Sequence, residues 1–280
     1  MIDPRLIDEL IVPFLREDIG FVDLTSTIMI DADATAAFDV NAREDLVVAG
    51  LDVAIAVFQR CEPGCEIDAR VVDGDHVQSG TVLARVSGKA RGILTAERTA
   101  LNILQHLSGV ASLTAQYVEE IEGTGAQLID TRKTTPGLRA LEKHAVRCGG
   151  GRNHRLGLDS GVLIKDNHIA VTGGLTAAIA RAKAEVPTLT KVQVECDTLD
   201  QVREAADAGA DSLLLDNMEP DMMRQAVTIV AGRIPLEASG GITLESIRAK
   251  AESGVDFIST GKITQSAPAV DIGLDEVPGA

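Results

Sequence analysis

The sequence has 280 residues, of which 45% are hydrophobic, and its formal net charge is -16. A chain of this length and apolar content can bury one large core or two modest ones, which excludes a disordered or fibrous protein. The negative charge and the single tyrosine without tryptophan argue against nucleic acid and anionic membranes as partners, because both are polyanions and base stacking needs aromatic rings.

The first twenty residues predict an amphipathic helix rather than a signal peptide. Asp3 is suited to cap the helix, Pro4 to occupy its first position, and apolar residues follow at helical spacing up to Leu15. No apolar run in the sequence reaches the roughly 20 residues that cross a bilayer. We therefore expect a cytoplasmic protein.

Residues 1–108 are predicted to form an N-terminal α/β domain. Strand-like runs at Ala37–Val40, Leu46–Val48, Ile67–Val72 and Thr81–Val86 are separated by glycine-containing turns. Thr95 is predicted to cap a long helix, which Ser108-Gly109 should break or kink. The domain boundary is predicted at that break.

Cysteine and histidine spacing does not indicate a metal cage. The four cysteines form no CxxC pair and the five histidines form no HxxxH pair. We therefore expect reduced, non-catalytic cysteines and no transition-metal site built from protein ligands.

Residues 109–266 show the rhythm of a parallel α/β barrel. Short apolar runs near positions 128, 163, 193, 214, 236 and 257 each end in polar or small residues and are followed by a helical segment. The last four recur about every 20 to 22 positions, which suits βα units. Functional residues are expected at the carboxyl ends of these strands, and residues 267–280 are expected to return to the N-terminal domain as a tail.

A basic segment lies between Asp130 and His168, where eight basic residues face four acidic ones in an otherwise acidic chain. Such a reversal of charge predicts an anionic ligand that is bound by arginine guanidinium groups and lysine ammonium groups. The best placed cations are at strand ends or glycine-rich turns: Arg132, Lys133, Arg155 and Lys165. For Arg139, Lys143 and Arg152, ordinary salt bridges explain the charge equally well.

Phosphate and sugar groups are indicated further along the chain. Ser239-Gly240-Gly241 and Gly261 follow consecutive late strands, an arrangement typical of phosphate sites in barrels. The carboxylates of Glu195 and Asp216 suit ribose hydroxyls and magnesium. A ligand that combines phosphate, sugar and metal, such as phosphoribosyl diphosphate, would use all of these groups.

The sequence resembles the quinolinate phosphoribosyltransferases over nearly its whole length. The motifs that carry the resemblance are EDIGFVDLTS, TAERTALNILQHLSG, DTRKTTPGLRALEKHAVRCGGGRNHRLGL, VLIKDNHI, LLLDNM, EASGGIT and DFISTGKITQSAP. The resemblance implies an α/β sandwich followed by an incomplete α/β barrel. It also implies phosphoribosyl transfer from phosphoribosyl diphosphate to quinolinate with decarboxylation, magnesium as cofactor, and a homodimer with shared active sites, with a hexamer left open.

Matched motif by motif, the resemblance also implies roles for single residues. Arg98 is similar to the arginine that reaches the partner's site, and Lys133, Lys165, Glu195 and Asp216 resemble the catalytic group. Glu195 and Asp216 would also serve magnesium, largely through substrate and water. The full set of implied substrate-binding residues is Arg98, Thr131, Arg132, Lys133, His154, Arg155, Lys165, Glu195, Asp216, Ser239, Gly240, Gly241, Thr260, Gly261 and Lys262.

The sequence departs from the family pattern in one segment, and three alternative functions remain. The late segment reads TGKITQS where the family commonly has VGALTHS, so Lys262 and Gln265 alter a phosphate loop. Lys165 at a strand end also fits a Schiff-base aldolase. A relative without the same activity, encoded beside molybdate transporters, shares the TRKT and HRLGL-like segments, and a non-enzymatic carrier or binding module is the third alternative.

Overall fold

A computed structural model describes residues 3–279, and the chain divides into two compact units. The first contains the residues up to Ala115 together with 135–150 and the residues from Ser266 onwards. The second contains 116–134 and 151–265. The two units are therefore not separated by a single boundary near position 108, where the domain boundary was predicted, because residues 109–115 and 135–150 belong to the first unit.

The first unit opens with helices α1 (Pro4–Ile19) and α2 (Leu24–Met29), and α3 (Leu51–Cys61) follows the first strands. The prediction for the N-terminus is confirmed, because the Asp3 side chain accepts a hydrogen bond from Arg5 N and Pro4 occupies the first turn. Ile7, Ile11 and Leu15 form the buried face of α1 at helical spacing. Burial of this apolar stripe anchors the helix.

An antiparallel sheet of four strands in the order β12-β1-β5-β3 forms the centre of the first unit. Its strands are β1 (Thr35–Ala42), β3 (Glu66–Ala69), β5 (Val82–Lys89) and β12 (Ile272–Glu276), while β2 (Leu46–Val47) and β4 (His76–Val77) form a separate pair. Strand β12 comes from the C-terminal tail and pairs with β1, with Val40 opposite Leu274. Alternate residues of β1, such as Phe38 and Val40, are buried, as expected for a sheet that packs on one face.

Helix α4 (Ala90–Glu120) differs from its predicted form at two points. It begins directly after β5, so Thr95 lies inside it, where its hydroxyl donates to Arg91 O and bonds to Asp23 rather than capping the helix. The helix also continues through Ser108-Gly109, where a break was predicted. A Cβ on Gly109 would overlap the Pro268 carbonyl, so this glycine permits close backbone packing rather than ending the helix.

The second unit contains a six-stranded parallel sheet in the order β6-β11-β10-β9-β8-β7. Its strands are β6 (Gln127–Ile129), β7 (Val162–Ile164), β8 (Val192–Cys196), β9 (Ser212–Asp216), β10 (Leu236–Ser239) and β11 (Phe257–Ser259). The helices of this unit are α6 (Asp166–Thr172), α7 (Leu175–Glu185), α8 (Leu199–Asp207), α9 (Pro220–Val230), α10 (Leu244–Ala251) and α11 (Lys262–Gln265), whereas α5 (Arg139–Cys148) belongs to the first unit. The predicted βα rhythm is confirmed for β8 to β11.

The strands of the parallel sheet are buried on both faces. Val192, Val194, Leu213, Leu215 and Ala238 are fully inaccessible to solvent. Continuous apolar strands of this kind are expected where helices cover a parallel sheet. Across residues 3–279, no helix combines the length with the apolar character that crossing a membrane would require.

Candidate functional site

The carboxyl ends of the six parallel strands gather most of the predicted site residues of the second unit. Because all six strands run in the same direction, their carboxyl ends share one edge of the sheet. The residues at or just after these ends are Asp130, Thr131, Arg132 and Lys133 after β6, Lys165 after β7, Glu195 in β8, Asp216 in β9, Ser239, Gly240 and Gly241 at β10, and Thr260, Gly261 and Lys262 after β11. We call this set the carboxyl edge.

Lys165 and Glu195 form an ion pair at the carboxyl edge, with 2.5 Å between Nζ and Oε2. The register of the strands accounts for the pair, because Ile164 lies opposite Val194 and the next residues on each strand are therefore neighbours. The Lys165 side chain is 47% exposed and that of Glu195 only 14%. The ammonium group of Lys165 is therefore accessible to solvent, whereas its partner carboxylate on Glu195 is largely buried.

His154 is held by hydrogen bonds on both ring nitrogens. Its Nδ1 accepts from Arg155 N at 2.8 Å, so Nε2 carries the proton and donates to Gln193 Oε1 at 2.9 Å. Gln193 Nε2 in turn donates to Glu237 Oε2 at 2.7 Å. Gln193 and Glu237 are both buried, so this chain of bonds fixes the orientation of the imidazole from inside the sheet.

Sequence reasoning did not identify Gln193 and Glu237. Gln193 lies two residues before Glu195 on β8, and Glu237 lies two residues before Ser239 on β10. Because side chains alternate along a strand, each shares its face with a predicted site residue. A polar residue within an otherwise apolar strand, two residues before a predicted site residue, could have indicated that Gln193 and Glu237 belong to the site.

Asp130 is a third residue that sequence reasoning did not place in the site. It is fully buried at the end of β6, where Oδ1 accepts from His154 N at 2.9 Å and Oδ2 accepts from Asn153 Nδ2 at 2.6 Å. A buried carboxylate needs such donors, since an unpaired charge in the interior is costly. Asp130 therefore ties the loop that carries His154 to the carboxyl edge.

Arg132 and Arg155 lie close enough to influence one another. Burial, and then the neighbouring charge of Arg132, lowers the pKa of the Arg155 guanidinium below its ordinary value. Arg155 Nη1 also donates to Gly161 O at 3.0 Å, which fixes the orientation of the guanidinium group. Two guanidinium groups that repel each other create a positive potential that favours an anion.

Asp216 and Gly240 are linked through Asn217. Asn217 Nδ2 donates to Asp216 Oδ2 at 2.6 Å, and Asn217 N donates to Ser239 O at 3.0 Å. The backbone of Asn217 is left-handed, with a φ of 52°. Gly240 has a φ of 88° and a Cβ there would overlap the Asn217 side chain, so both conformation and space require glycine at this turn.

The loop after β11 contacts Lys133. A Cβ on Gly261 would lie 2.7 Å from Lys133 Cδ, and Thr264 Oγ1 donates to Lys133 O at 2.7 Å. Thr260 Oγ1 accepts from Lys262 N at 3.2 Å, and Ser259 Oγ donates to Ser239 Oγ at 3.0 Å. The absence of a side chain at Gly261 thus allows Lys133 to lie against the late loop.

Among the other predicted cations, Arg98, Arg139 and Lys143 lie in the first unit, whereas Arg152 lies in the second. Arg98 lies exposed on α4, with Asn102 Oδ1 3.5 Å from its Nη1. Arg139, Lys143 and Arg147 belong to α5 and therefore to the first unit as well. The basic segment of the sequence is thus divided between the two units, while Arg132, Lys133, Arg155 and Lys165 all lie in the second.

The donor set at the carboxyl edge fits a hard divalent cation. Glu195 and Asp216 lie on neighbouring strands and offer carboxylate oxygens, the atoms that magnesium prefers. Each carboxylate already accepts a hydrogen bond, from Lys165 and Asn217 respectively. Such carboxylates suit a magnesium ion that keeps its water shell and binds mainly to substrate phosphates.

Comparison with known proteins gives matches over nearly the whole chain. Residues 23–108 match the N-terminal domain of quinolinate phosphoribosyl transferase, and residues 110–275 match its C-terminal domain. A probable nicotinate-nucleotide pyrophosphorylase (carboxylating) from Bacillus subtilis is 41% identical over 94% of this chain and 90% of its own length. The nicotinate-nucleotide pyrophosphorylase (carboxylating) of Mycobacterium leprae is 42% identical over 93% of this chain and 94% of its own. The crystal structure of NadC from Streptococcus pyogenes has a TM-score of 0.95 and 40% identity, and the match covers 99% of both chains.

Proposed function

Because this chain belongs to the quinolinate phosphoribosyltransferase family, we propose that its carboxyl edge binds quinolinate and phosphoribosyl diphosphate. The chain is a pentosyltransferase of pyridine nucleotide biosynthesis. It transfers the phosphoribosyl group of phosphoribosyl diphosphate to quinolinate with decarboxylation, which yields nicotinate mononucleotide, diphosphate and carbon dioxide.

The observation that carries the assignment of the site is the alignment of unlike charges along one edge of a parallel sheet. Along the sheet, cations follow the two outer strands β6 and β7, glycine-containing turns follow β11 and β10, and carboxylates lie at the ends of β9 and β8. A dianionic ring, a ribose, a 5′-phosphate and a diphosphate each find a chemically matched neighbour along this edge. Ligands bind at the carboxyl ends of parallel strands in this class of fold.

The cations have two roles in this proposal. Arg132, His154 and Arg155 hold the carboxylates of quinolinate, and Lys133 and Lys165 face the phosphate groups. Each charge-assisted hydrogen bond contributes roughly 1.5 to 3 kcal/mol. The interactions that strengthen as diphosphate departs accelerate the reaction, whereas those equal in both states only improve binding.

Bond formation proceeds between the pyridine nitrogen and the anomeric carbon of the ribose. The nitrogen lone pair forms the new bond while the bond to diphosphate breaks, through a transition state with oxocarbenium character. Glu195 and Asp216 are placed to bind ribose hydroxyls and to stabilise this positive charge. Arg132 and Arg155 orient the ring so that its nitrogen faces the anomeric carbon.

Decarboxylation follows from the positive charge on the ring nitrogen. Once the nitrogen is quaternary, the adjacent ring carbon holds the electron pair left by carbon dioxide and then takes up a proton. No organic cofactor is required for this step. The role of the protein is to hold the remaining carboxylate while the other leaves.

Magnesium is the proposed cofactor. When bound, it neutralises the charge of the diphosphate leaving group. Glu195 and Asp216 would hold it, largely through water and substrate oxygens. We expect that chelation with EDTA abolishes turnover and that added magnesium restores it.

We also propose that the enzyme acts in the cytoplasm as a homodimer in which Arg98 reaches the site of the neighbouring subunit. The exposed position of Arg98 on α4 leaves its guanidinium accessible to a second chain. All four cysteines are free, as is usual in reducing compartments. A hexamer built from such dimers is compatible with the same contact.

The decisive experiment incubates the protein with quinolinate, phosphoribosyl diphosphate and magnesium and follows nicotinate mononucleotide and carbon dioxide. Nicotinate replaces quinolinate as the comparison substrate and should give little product. Lys165→Met should lower kcat/KM by roughly 10-fold to 100-fold, as expected when a charge-assisted contact is lost.

Lys183→Met is the matched control. Lys183 also pairs with a carboxylate of the second unit, Asp211, at 2.7 Å, but it lies on α7. This variant should retain the activity of the unaltered enzyme. Equal activity of the two variants would contradict the placement of the site at the carboxyl edge.

A further inference from the structure

Three potential metal ligands from separate parts of the sequence converge in the first unit. Asp73 lies in the loop between β3 and β4, His144 lies on α5, and Cys148 is the last residue of that helix. Each offers one ligand atom, and these atoms all lie within 4.8 Å of one another. No residue of the carboxyl edge takes part in this group, which we call the Asp-His-Cys cluster.

The helix and the loop explain why these three side chains meet. His144 and Cys148 are four residues apart on α5, so they lie on the same face one turn from each other. Asp73 is held in place by the start of α3, because its carboxylate accepts from Gly50 N at 3.0 Å and Leu51 N at 2.9 Å. The carboxylate is therefore presented to α5 by a rigid loop.

Within the cluster, hydrogen bonding satisfies Asp73 and His144 better than the Cys148 thiol. His144 Nε2 lies 2.7 Å from Asp73 Oδ2 and 3.4 Å from Cys148 Sγ. A neutral imidazole nitrogen either donates or accepts, so it cannot donate to the carboxylate and accept from the thiol in the same state. A cation between the three atoms would bind a lone pair of each.

The chemistry of the donors selects the kind of ion. A thiolate, an imidazole and a carboxylate form the mixed set that binds Zn²⁺, whereas magnesium prefers oxygen atoms alone. Separations of 2.7 and 3.4 Å between donors require only small shifts to place each within about 2.0 to 2.3 Å of one ion.

Solvent reaches the cluster through a cavity of about 540 Å³. The cavity is lined by all three ligands and also by Asp52, Val72 and Arg147. The side chains of Asp73 and His144 are each 15% exposed, so they are sheltered but accessible from one side. An ion can therefore enter, and water can take a fourth position.

Contrary to the expectation from cysteine and histidine spacing, we propose that Asp73, His144 and Cys148 form a zinc-class divalent metal site that is separate from the proposed magnesium-dependent reaction. The bound ion connects the loop between β3 and β4, which contacts the start of α3, to the C-terminal end of α5. Asp73 and His144 are 71 residues apart in the sequence, so the metal acts as a cross-link within the first unit.

Cobalt(II) is the probe, because a thiolate ligand gives Co²⁺ a near-ultraviolet charge-transfer band that oxygen ligands do not. The full-length protein is reduced, stripped with EDTA, desalted and titrated with Co²⁺ without magnesium. We expect the band to rise to one equivalent and to be abolished by Zn²⁺. Absence of the band in the unaltered protein would overturn the proposal.

Two cysteines outside the cluster supply the matched controls. Cys148→Ser and His144→Ala should lose the band, whereas Cys61→Ser and Cys65→Ser should keep it. A band that survives in Cys148→Ser would show that another thiol binds the metal and would refute the site.

A second measurement needs no variant and so does not depend on how well any variant folds. Zn²⁺ should slow alkylation of Cys148 roughly tenfold, measured by peptide mass spectrometry, while Cys61 reacts at an unchanged rate. Equal rates at Cys148 with and without Zn²⁺ would contradict metal binding. Both readouts are independent of transferase activity, so they test this site alone.

Discussion

Lys165 illustrates how a charged residue at a strand end remains available to a ligand. Its ammonium group pairs with Glu195 yet is about half exposed. Exposed ion pairs of this kind contribute only about 0.2 to 1 kcal/mol, so the ammonium group can move toward a phosphate at little cost. Glu195 is less exposed and holds its position. The pair thus combines a fixed carboxylate with a movable cation.

His154 represents the opposite case, a proposed substrate-binding side chain whose orientation is fixed by buried residues of the parallel sheet. The chain of hydrogen bonds from His154 through Gln193 ends on the buried carboxylate of Glu237. Removing one member of a buried network leaves the others unsatisfied. We therefore expect Glu237 to position His154 rather than to act on the substrate itself.

We predict that Glu237→Ala raises the KM for quinolinate and lowers kcat/KM by roughly 10-fold to 100-fold, since Gln193 no longer holds His154. Glu237→Gln should recover most of the loss, because its amide oxygen still accepts from Gln193. Steady-state kinetics with each substrate varied in turn provides the measurement. An unchanged KM for quinolinate in Glu237→Ala would remove His154 from the binding of that substrate.

Helix α4 shows that a glycine within a helix can permit close backbone packing instead of ending the helix. Gly109 in the sequence suggested a break, because glycine is unfavourable by about 1 kcal/mol in a helix interior. In the structure the helix runs through it, since the Pro268 carbonyl packs where a Cβ would be. Tertiary packing therefore outweighs helix propensity at this position.

We predict that Gly109→Ala destabilises the protein by about 1 to 3 kcal/mol, despite the better helix propensity of alanine, because the added methyl group displaces the C-terminal segment. Urea unfolding at neutral pH measures the effect. Gln116→Ala, on an exposed part of the same helix, should change stability by less than about 0.5 kcal/mol. A more stable Gly109→Ala protein would mean that helix propensity prevails after all.

At the scale of the whole molecule, the chain order does not match the compact units. The segment 135–150 and the residues from 266 onwards fold with the first unit, although the second unit separates them from it in the sequence. The basic segment is divided in the same way, with α5 in the first unit and the carboxyl edge in the second. Charge counted along the sequence therefore overstates the number of cations at one site.

The proposed homodimer makes a prediction about mixed subunits. Arg98→Ala and Lys165→Ala chains should each retain about a tenth of the unaltered activity or less when present alone. When they are unfolded together and refolded at equal concentrations, hybrid dimers should restore about a quarter of the unaltered activity, because half of the dimers contain one intact site. Mixing either variant with itself is the control, and failure to recover activity in hybrids shown to form would exclude a shared site.

The sequence by itself determined the fold class, the family and the residues at the strand ends. Hydrophobic periodicity, glycine turns and charged residues after apolar runs are local patterns, and they sufficed to predict β8 to β11 and to single out Lys165, Glu195 and Asp216. Only the tertiary structure decided where α4 begins, why Gly109 lies within it, and which side chains meet. Glu237 on β10 reaches His154 through Gln193 on β8, and Asp73 meets His144 from 71 residues away. Such contacts depend on strand register and on the packing of distant segments, which no local pattern in one sequence encodes.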